Sequence, residues 1–316
     1  MIMISHFGGP QVLEDLKTTF LQKKDCDVII YVGEEPNVEI VYAHSFILRM
    51  RSSYFESALS PTWAEIKDGK FIFKKPNISK LVLQKILLYL YCGEIDIKPN
   101  DGTLALDYLI AADELNLDMS FIEYVQELLI KHIMEFFSSD PFEILRTILK
   151  YDHLFYKLKD HYLNYICDRA KYIFSSEKFL LLEEEMICTI LDQENLNIEE
   201  IIVWDKMIEW GIARNPSLAN KEIAKWIEDD FIILRQSLKR LIPLVRYYDI
   251  FSKDYFDKIS PYEKILPEDL NNDIFQYHVI KGYIPKFTKY KRRNRNKSRA
   301  RYDIILDSTR EDLFSL

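Results

Sequence analysis

Apolar residues return at helical spacing over residues 10–22, as Val12, Leu13, Leu16 and Phe20 behind Pro10, which predicts an opening helix. The pattern then changes to that of strands. The β-branched run at 27–33 ends in glycine, GEEPN at 33–37 reads as a turn, and 38–44 alternates, so these segments form a hairpin. Residues 44–59 carry Phe46, Ile47, Met50, Tyr54, Phe55 and Leu59 at the spacing of one helix. KFIFK at 70–74 is a third short strand. Residues 77–93 have both a start and a stop signal for a helix: an Asn/Ser cap region and Gly93. EIDI at 94–97 reads as an extra short strand. Residues 103–117 and 120–137 are amphipathic helices joined by a tight turn, and the next helix opens at Pro141 behind Ser139 or Asp140.

Beyond residue 150 the spacing is helical throughout, with short loops. SSEKFLLLE repeats the cap-then-apolar pattern without the Glu of a full capping box. An amphipathic helix ends near Gly211 and Pro216, the next is broken at Pro243, and 260–270 is a last helical piece. Hydrophobicity falls after Pro285, which places a linker there. The helix spacings are irregular, so no solenoid repeat is expected. The pattern predicts an α+β unit, with a short three-stranded sheet and one extra strand flanked by helices, followed by an all-α unit.

Composition agrees with two domains, which 316 residues allow. Hydrophobic residues at 48% are enough for real cores and exclude disorder over most of the chain. With only 8 glycines, a phosphate-cradling loop is disfavoured, and no GxGxxG, Walker loop or GxSxG is present. The four cysteines, Cys26, Cys92, Cys167 and Cys188, are far apart with apolar flanks, as for reduced thiols in a cytosolic or nuclear protein. Without CxxC or HExxH, neither a metal nor a cofactor is expected, and His153 and His161 have no third ligand in register. No apolar run approaches the length of a membrane span, and the N-terminus lacks a secretory pattern.

Net charge is −8, but residues 286–301 hold nine Lys/Arg and no acid. Removing that +9 leaves −17 on the rest of the chain. The basic run can bind nucleic acid, act as a nuclear import signal or form a flexible, solvated linker. No folded nucleic-acid reader accompanies it, so nucleic acid is not an expected partner. The acidic run Glu183-Glu184-Glu185 reads as a solvated face.

The element order, together with particular residues, resembles the BTB/POZ domain. Cys26-Asp27-Val28 opens the first strand. Ala43-His44, Leu48 and Ser52-Ser53-Tyr54-Phe55 are similar to the family's H…L…S.YF core motif. Leu88 to Ile95, with Gly93, is similar to its FIYTGEI signature, and Ala111-Ala112-Asp113 with Leu115 to its AAD.L helix. The second half resembles the BACK domain through Phe179, Leu182, Met186, the stretch from Asn195 to Glu200, and Trp210. Tyr302 to Thr309 looks like the lead-in to a TLDc domain. The implied layout is an N-terminal dimerisation helix region at 1–22, BTB at 23–137, BACK at 138–275, and a basic linker and tail at 276–316.

This resemblance implies contact rather than catalysis: an adaptor, not an enzyme, in the cytoplasm or nucleus and off the membrane. It implies a homodimer whose interface is formed by Val12, Leu13, Leu16 and Phe20 with Phe55 and Leu59; the alternative is that the first helix packs on its own chain. Cullin-3 adaptors of the family carry a hydrophobic–x–Glu motif after the second long helix, where Trp63-Ala64-Glu65 stands. A large aromatic there anchors a partner, unless Trp63 folds back onto the domain. Phe142, Leu145 and Ile148 are the implied extra cullin-binding segment or, equally, a core stripe. The implied function is a substrate-recruiting subunit of a cullin-3 ubiquitin ligase, its substrate protein unknown. The alternative is a nuclear scaffold or transcription regulator. In repressors of this family an Asp like Asp27 and a basic residue after the His line a charged pocket, but here Ser45 occupies the basic position. His44 itself is expected to be structural.

Overall fold

A computed structural model describes residues 9–98, 102–136, 140–287 and 293. The chain divides into two compact units, residues 1–140 with 147–159, and residues 141–146 with 160–316.

The first unit opens with helix α1 (Gly9–Gln22) and strands β1 (Val28–Val32) and β2 (Glu39–Ala43). Helices α2 (Ser45–Arg51) and α3 (Ser53–Ala58) follow, then β3 (Glu65–Lys67) and β4 (Lys70–Lys75). The sheet order is β2-β1-β4-β3, with β1 parallel to β4 and the other pairs antiparallel. Val28, Ile30 and Val32 alternate into the core, as the two-residue period of a strand requires. The helices continue with α4 (Lys80–Cys92), α5 (Gly102–Glu114), α6 (Met119–Lys131) and the short α7 (Ile133–Phe136). Helix α4 is bounded as its sequence requires. The Ser79 hydroxyl accepts from the Val82 N–H at 3.3 Å, and Gly93 takes the left-handed conformation at φ 75°.

Two sequence expectations need correction. Residues 44–59 are two helices, because Ser52 is extended at φ −148° and restarts the chain as the N-cap of α3. Its hydroxyl accepts the Phe55 N–H and donates to the Leu115 carbonyl, and this local alternative to the helix ladder decides the break. Residues 94–97 form no strand, since no segment of the described chain pairs with them. The fourth strand is instead β3, whose three residues are all exposed and so carry no hydrophobic pattern. Asp68 and Gly69 have φ of 51° and 74°, the two left-handed residues of a tight hairpin turn. That Asp-Gly pair was the available signal.

Helices α8 (Pro141–Lys150), α9 (Tyr156–Asp168), α10 (Ala170–Ser175), α11 (Glu184–Leu191), α12 (Glu200–Ala213) and α13 (Glu228–Leu238) come next. Pro243 sits in a 3-10 turn at Ile242–Leu244, in keeping with the expected break. A short turn α14 (Ser252–Asp254), a π-helical turn and a 3-10 turn lead to α15 (Glu268–Val279), which runs well past the expected last piece. No helix among the described residues is long and apolar enough to cross a membrane.

Candidate functional site

The BTB-like motif residues converge at the junction of β2, α2 and α4. The Asp27 carboxylate accepts from the Ser45 N–H at 2.7 Å and the Ser45 hydroxyl at 2.5 Å, so it caps the start of α2 from the position just before β1. The Ser45 backbone and side chain thus occupy the carboxylate that a repressor-type pocket would present. The His44 Nε2 lies 2.6 Å from the Lys24 carbonyl and must donate to it. Nδ1 then accepts from the Tyr91 hydroxyl at 2.6 Å, while that hydroxyl accepts from the His44 backbone N–H at 2.8 Å. Burial pushes the Tyr91 hydroxyl far above its usual range, which keeps it a donor. Cys26 Sγ stands 3.8 Å from His44 Nε2. Burial, and then the Asp27 charge, push this thiol up, so the pair is not an activated nucleophile. Leu48 and Phe55 are fully buried, and Tyr54 meets Phe55 and Phe73 edge-on. These residues hold the unit together. No cluster able to hold a metal occurs among the described residues.

Among the exposed positions of this scaffold are several large apolar side chains. Trp63 is 82% exposed, although its backbone is fixed: its N–H and that of Ala64 both donate to the Ser60 carbonyl, at 3.1 and 2.9 Å. It does not fold back onto the domain. Glu65 follows at the first position of β3, exposed and paired in register with Ile72. Phe46 and Met50, one turn apart on α2, are also exposed. An aromatic that reaches solvent from a fixed turn can be buried by a partner at little ordering cost.

On α1, Val12 and Leu13 are exposed and Leu16 is half-buried. Phe20 is not available to a partner: its ring packs on Tyr91 of α4 at 4.8 Å between centroids. Phe55 and Leu59 are likewise core residues of the protomer. The expected dimer surface therefore shrinks to Val12, Leu13 and Leu16. The extra cullin-binding segment is corrected in the same way. Phe142, Leu145 and Ile148 are buried, so of the two readings of this stripe the core one holds in the folded chain. Helical spacing shows that a stripe faces something apolar, not whether that surface belongs to the same chain.

In the helical unit the BACK-like residues form its interior. Phe179 packs on Phe174 at 4.6 Å, and the Leu182 carbonyl accepts from the Trp210 indole N–H at 2.9 Å. Trp210 thus ties α12 to the turn before α11. The sequence reading missed a buried ion pair between Glu200 and Arg293, a residue of the basic run. The motif at 302–309 lies outside the described residues, as do the flanks of Arg293.

Comparison with known proteins finds two family models in order along the chain. The BTB/POZ domain model matches residues 16–133, and the model described as BTB And C-terminal Kelch (BACK) matches residues 149–224. Neither reaches the TLDc-like motif. The chain is similar to human BTB/POZ domain-containing protein 3, at 23% identity over 273 residues, 85% of this chain and 48% of that protein. It is also similar to mouse Kelch-like protein 41, at 23% identity over 295 residues, 86% of this chain and 45% of that protein. The BTB domain of zebrafish PATZ1 aligns at 27% identity, covering 41% of this chain and 96% of that one, with a TM-score of 0.31. The chain thus spans about half the length of the curated relatives it matches. Residues 16–133 are a BTB/POZ domain and residues 149–224 a BACK domain, the architecture of protein-interaction adaptors.

Proposed function

We propose that this protein is a dimeric adaptor that recruits a substrate protein to a cullin-3 ubiquitin ligase. The observation that carries this reading is Trp63, 82% exposed on a turn fixed by two backbone hydrogen bonds and followed by the exposed Glu65, within a BTB domain joined to a BACK domain. Trp63 enters an apolar pocket on the cullin, and Glu65 pairs with a polar group at the rim. Val12, Leu13 and Leu16 of α1 form the contact between protomers. The repressor-like reading has less support, because Asp27 is already engaged by Ser45.

Titration of the full chain with the N-terminal region of cullin-3 tests the reading. Trp63→Ala removes an interface anchor, so affinity falls by about 30-fold or more. The melting temperature stays near that of the wild type, because the side chain makes little contact within its own domain. Glu65→Lys weakens binding further. No binding by the wild type, or unchanged binding by the double variant, overturns the cullin step. Light scattering that shows a monomer at micromolar concentration overturns the dimer.

A further inference from the structure

The basic run holds nine Lys/Arg, and its described members contrast sharply. Lys286 is exposed, while Arg293 is 6% exposed, its guanidinium deep in the helical unit. Its Nε donates to Glu200 Oε1, and its Nη1 donates to the carbonyls of Leu191 at 2.9 Å and Gln193 at 2.6 Å. The second Glu200 oxygen accepts from the Arg246 N–H at 3.1 Å. Both side chains of the ion pair are almost fully buried, at 1% and 0% exposure.

Each part of this cradle suits a guanidinium. Leu191 is the last residue of α11, so its carbonyl is among those that lack a partner within the helix. The negative end of the helix dipole favours a cation there. Glu200 opens α12 and supplies the counter-charge. The carboxylate and the two carbonyls accept from different edges of one planar group, which an ammonium on a flexible stem cannot reproduce. Nη2 of Arg293 is buried without a hydrogen-bond partner among the described residues.

A second fastening precedes it on the chain. Asp273 of α15 accepts from the Tyr248 and Tyr283 hydroxyls, at 2.5 and 2.6 Å, and from the N–H groups of Lys286 and Phe287, the nearest oxygens at 3.0 and 3.3 Å. The beginning of the basic run is therefore held at a carboxylate as well.

We propose that Glu200 with the carbonyls of Leu191 and Gln193 forms an arginine-binding site of the helical unit, occupied in cis by Arg293. The ligand class is a guanidinium group, and the site latches the basic run to the unit. When the latch residue is removed, a small free guanidinium compound takes its place.

Two measurements on the full chain test this, and neither depends on cullin binding. In the first, Arg293→Ala melts below the wild type. Millimolar ethylguanidinium restores part of that loss, while ethylammonium does not, and neither restores Arg293→Ala combined with Glu200→Gln. Equal melting of the variant and the wild type, or equal responses to both cations, overturns the site. If Arg293→Ala does not fold, Arg293→Lys keeps the charge and loses the fork. Limited trypsin digestion then reads the latch directly, because the bond after residue 293 can be cut only when that side chain is released. The Lys variant is cut there about tenfold faster or more, as expected for the loss of charge-assisted hydrogen bonds. An unchanged rate overturns the proposal.

Discussion

Ser52 joins two helices through one hydroxyl, and its removal has a cost that can be worked out. The side chain is 3% exposed, accepts from the Phe55 N–H at 3.2 Å and donates to the Leu115 carbonyl at 2.7 Å. Ser52→Ala removes an N-cap, worth about 1 kcal/mol. It also takes a donor from the carbonyl of Leu115, a fully buried residue, which costs about 1–3 kcal/mol. The expected loss is about 2–4 kcal/mol. Ser52→Gly separates the two contributions. Glycine caps nearly as well as serine, so this variant loses mainly the Leu115 bond and falls by about 1–3 kcal/mol. Urea unfolding followed by circular dichroism gives the totals. Hydrogen exchange at the Phe55 amide gives the local effect, since that amide loses its acceptor in both variants. A Ser52→Ala protein within about 0.5 kcal/mol of the wild type, the range of ordinary surface changes, would refute this account of the junction.

Gly211→Ala places a Cβ 2.6 Å from Leu234 Cδ1 and 3.0 Å from Leu238 Cδ2, between α12 and α13. Overpacking costs about 1–3 kcal/mol against a gain of about 1 kcal/mol in helix propensity, so the melting temperature falls or stays level; a rise would contradict the packing. Acid should loosen the Asp273 clasp. Burial alone would raise the Asp273 carboxyl, but hydrogen bonds from Tyr248, Tyr283, Lys286 and Phe287 hold it below the usual carboxylate range. A lowered folded-state pKa contributes stability that is fully present above the unfolded value of about 3.9 and is lost as pH falls through the folded one. Melting curves between pH 6 and pH 2 (roughly the carboxylate range) should therefore fall less steeply for Asp273→Asn than for the wild type. Equal slopes would remove the clasp from the account.

Features written in local chemistry were legible from the residues. Helix α4 carries its own cap at Ser79 and its own stop at Gly93. The β1 run has no competing helical pattern. Where two readings shared one pattern, the residues were silent. Phe46, Ile47, Met50, Tyr54 and Phe55 fit one helix as well as two, and the first ends where the Ser52 hydroxyl caps the Phe55 N–H and also donates to the Leu115 carbonyl, 63 residues away. β3 is exposed throughout and exists because β4 pairs with it. Residues 94–97 have strand-like composition but no partner to pair with in the described chain.

The candidate interaction site divides along the same line. The identity and order of Asp27, His44, Leu48, Tyr54, Phe55 and Gly93 marked the BTB domain, because each satisfies a constraint of backbone or core. Phe179, Leu182 and Trp210 did so for BACK. Which apolar residues face outward was settled only by packing. Trp63, Val12 and Leu13 reach solvent, while Phe20, Phe55, Leu59, Phe142, Leu145 and Ile148 are consumed inside the chain. The basic run is the clearest case. By composition it reads as a solvated segment, yet Arg293 lies buried against Glu200, 93 residues away. Sequence alone determined two domains, their types and their capped helices, because periodicity and capping act within a few residues. The tertiary structure decided which surfaces remain free and where Arg293 docks, because burial depends on contacts between segments far apart in the chain.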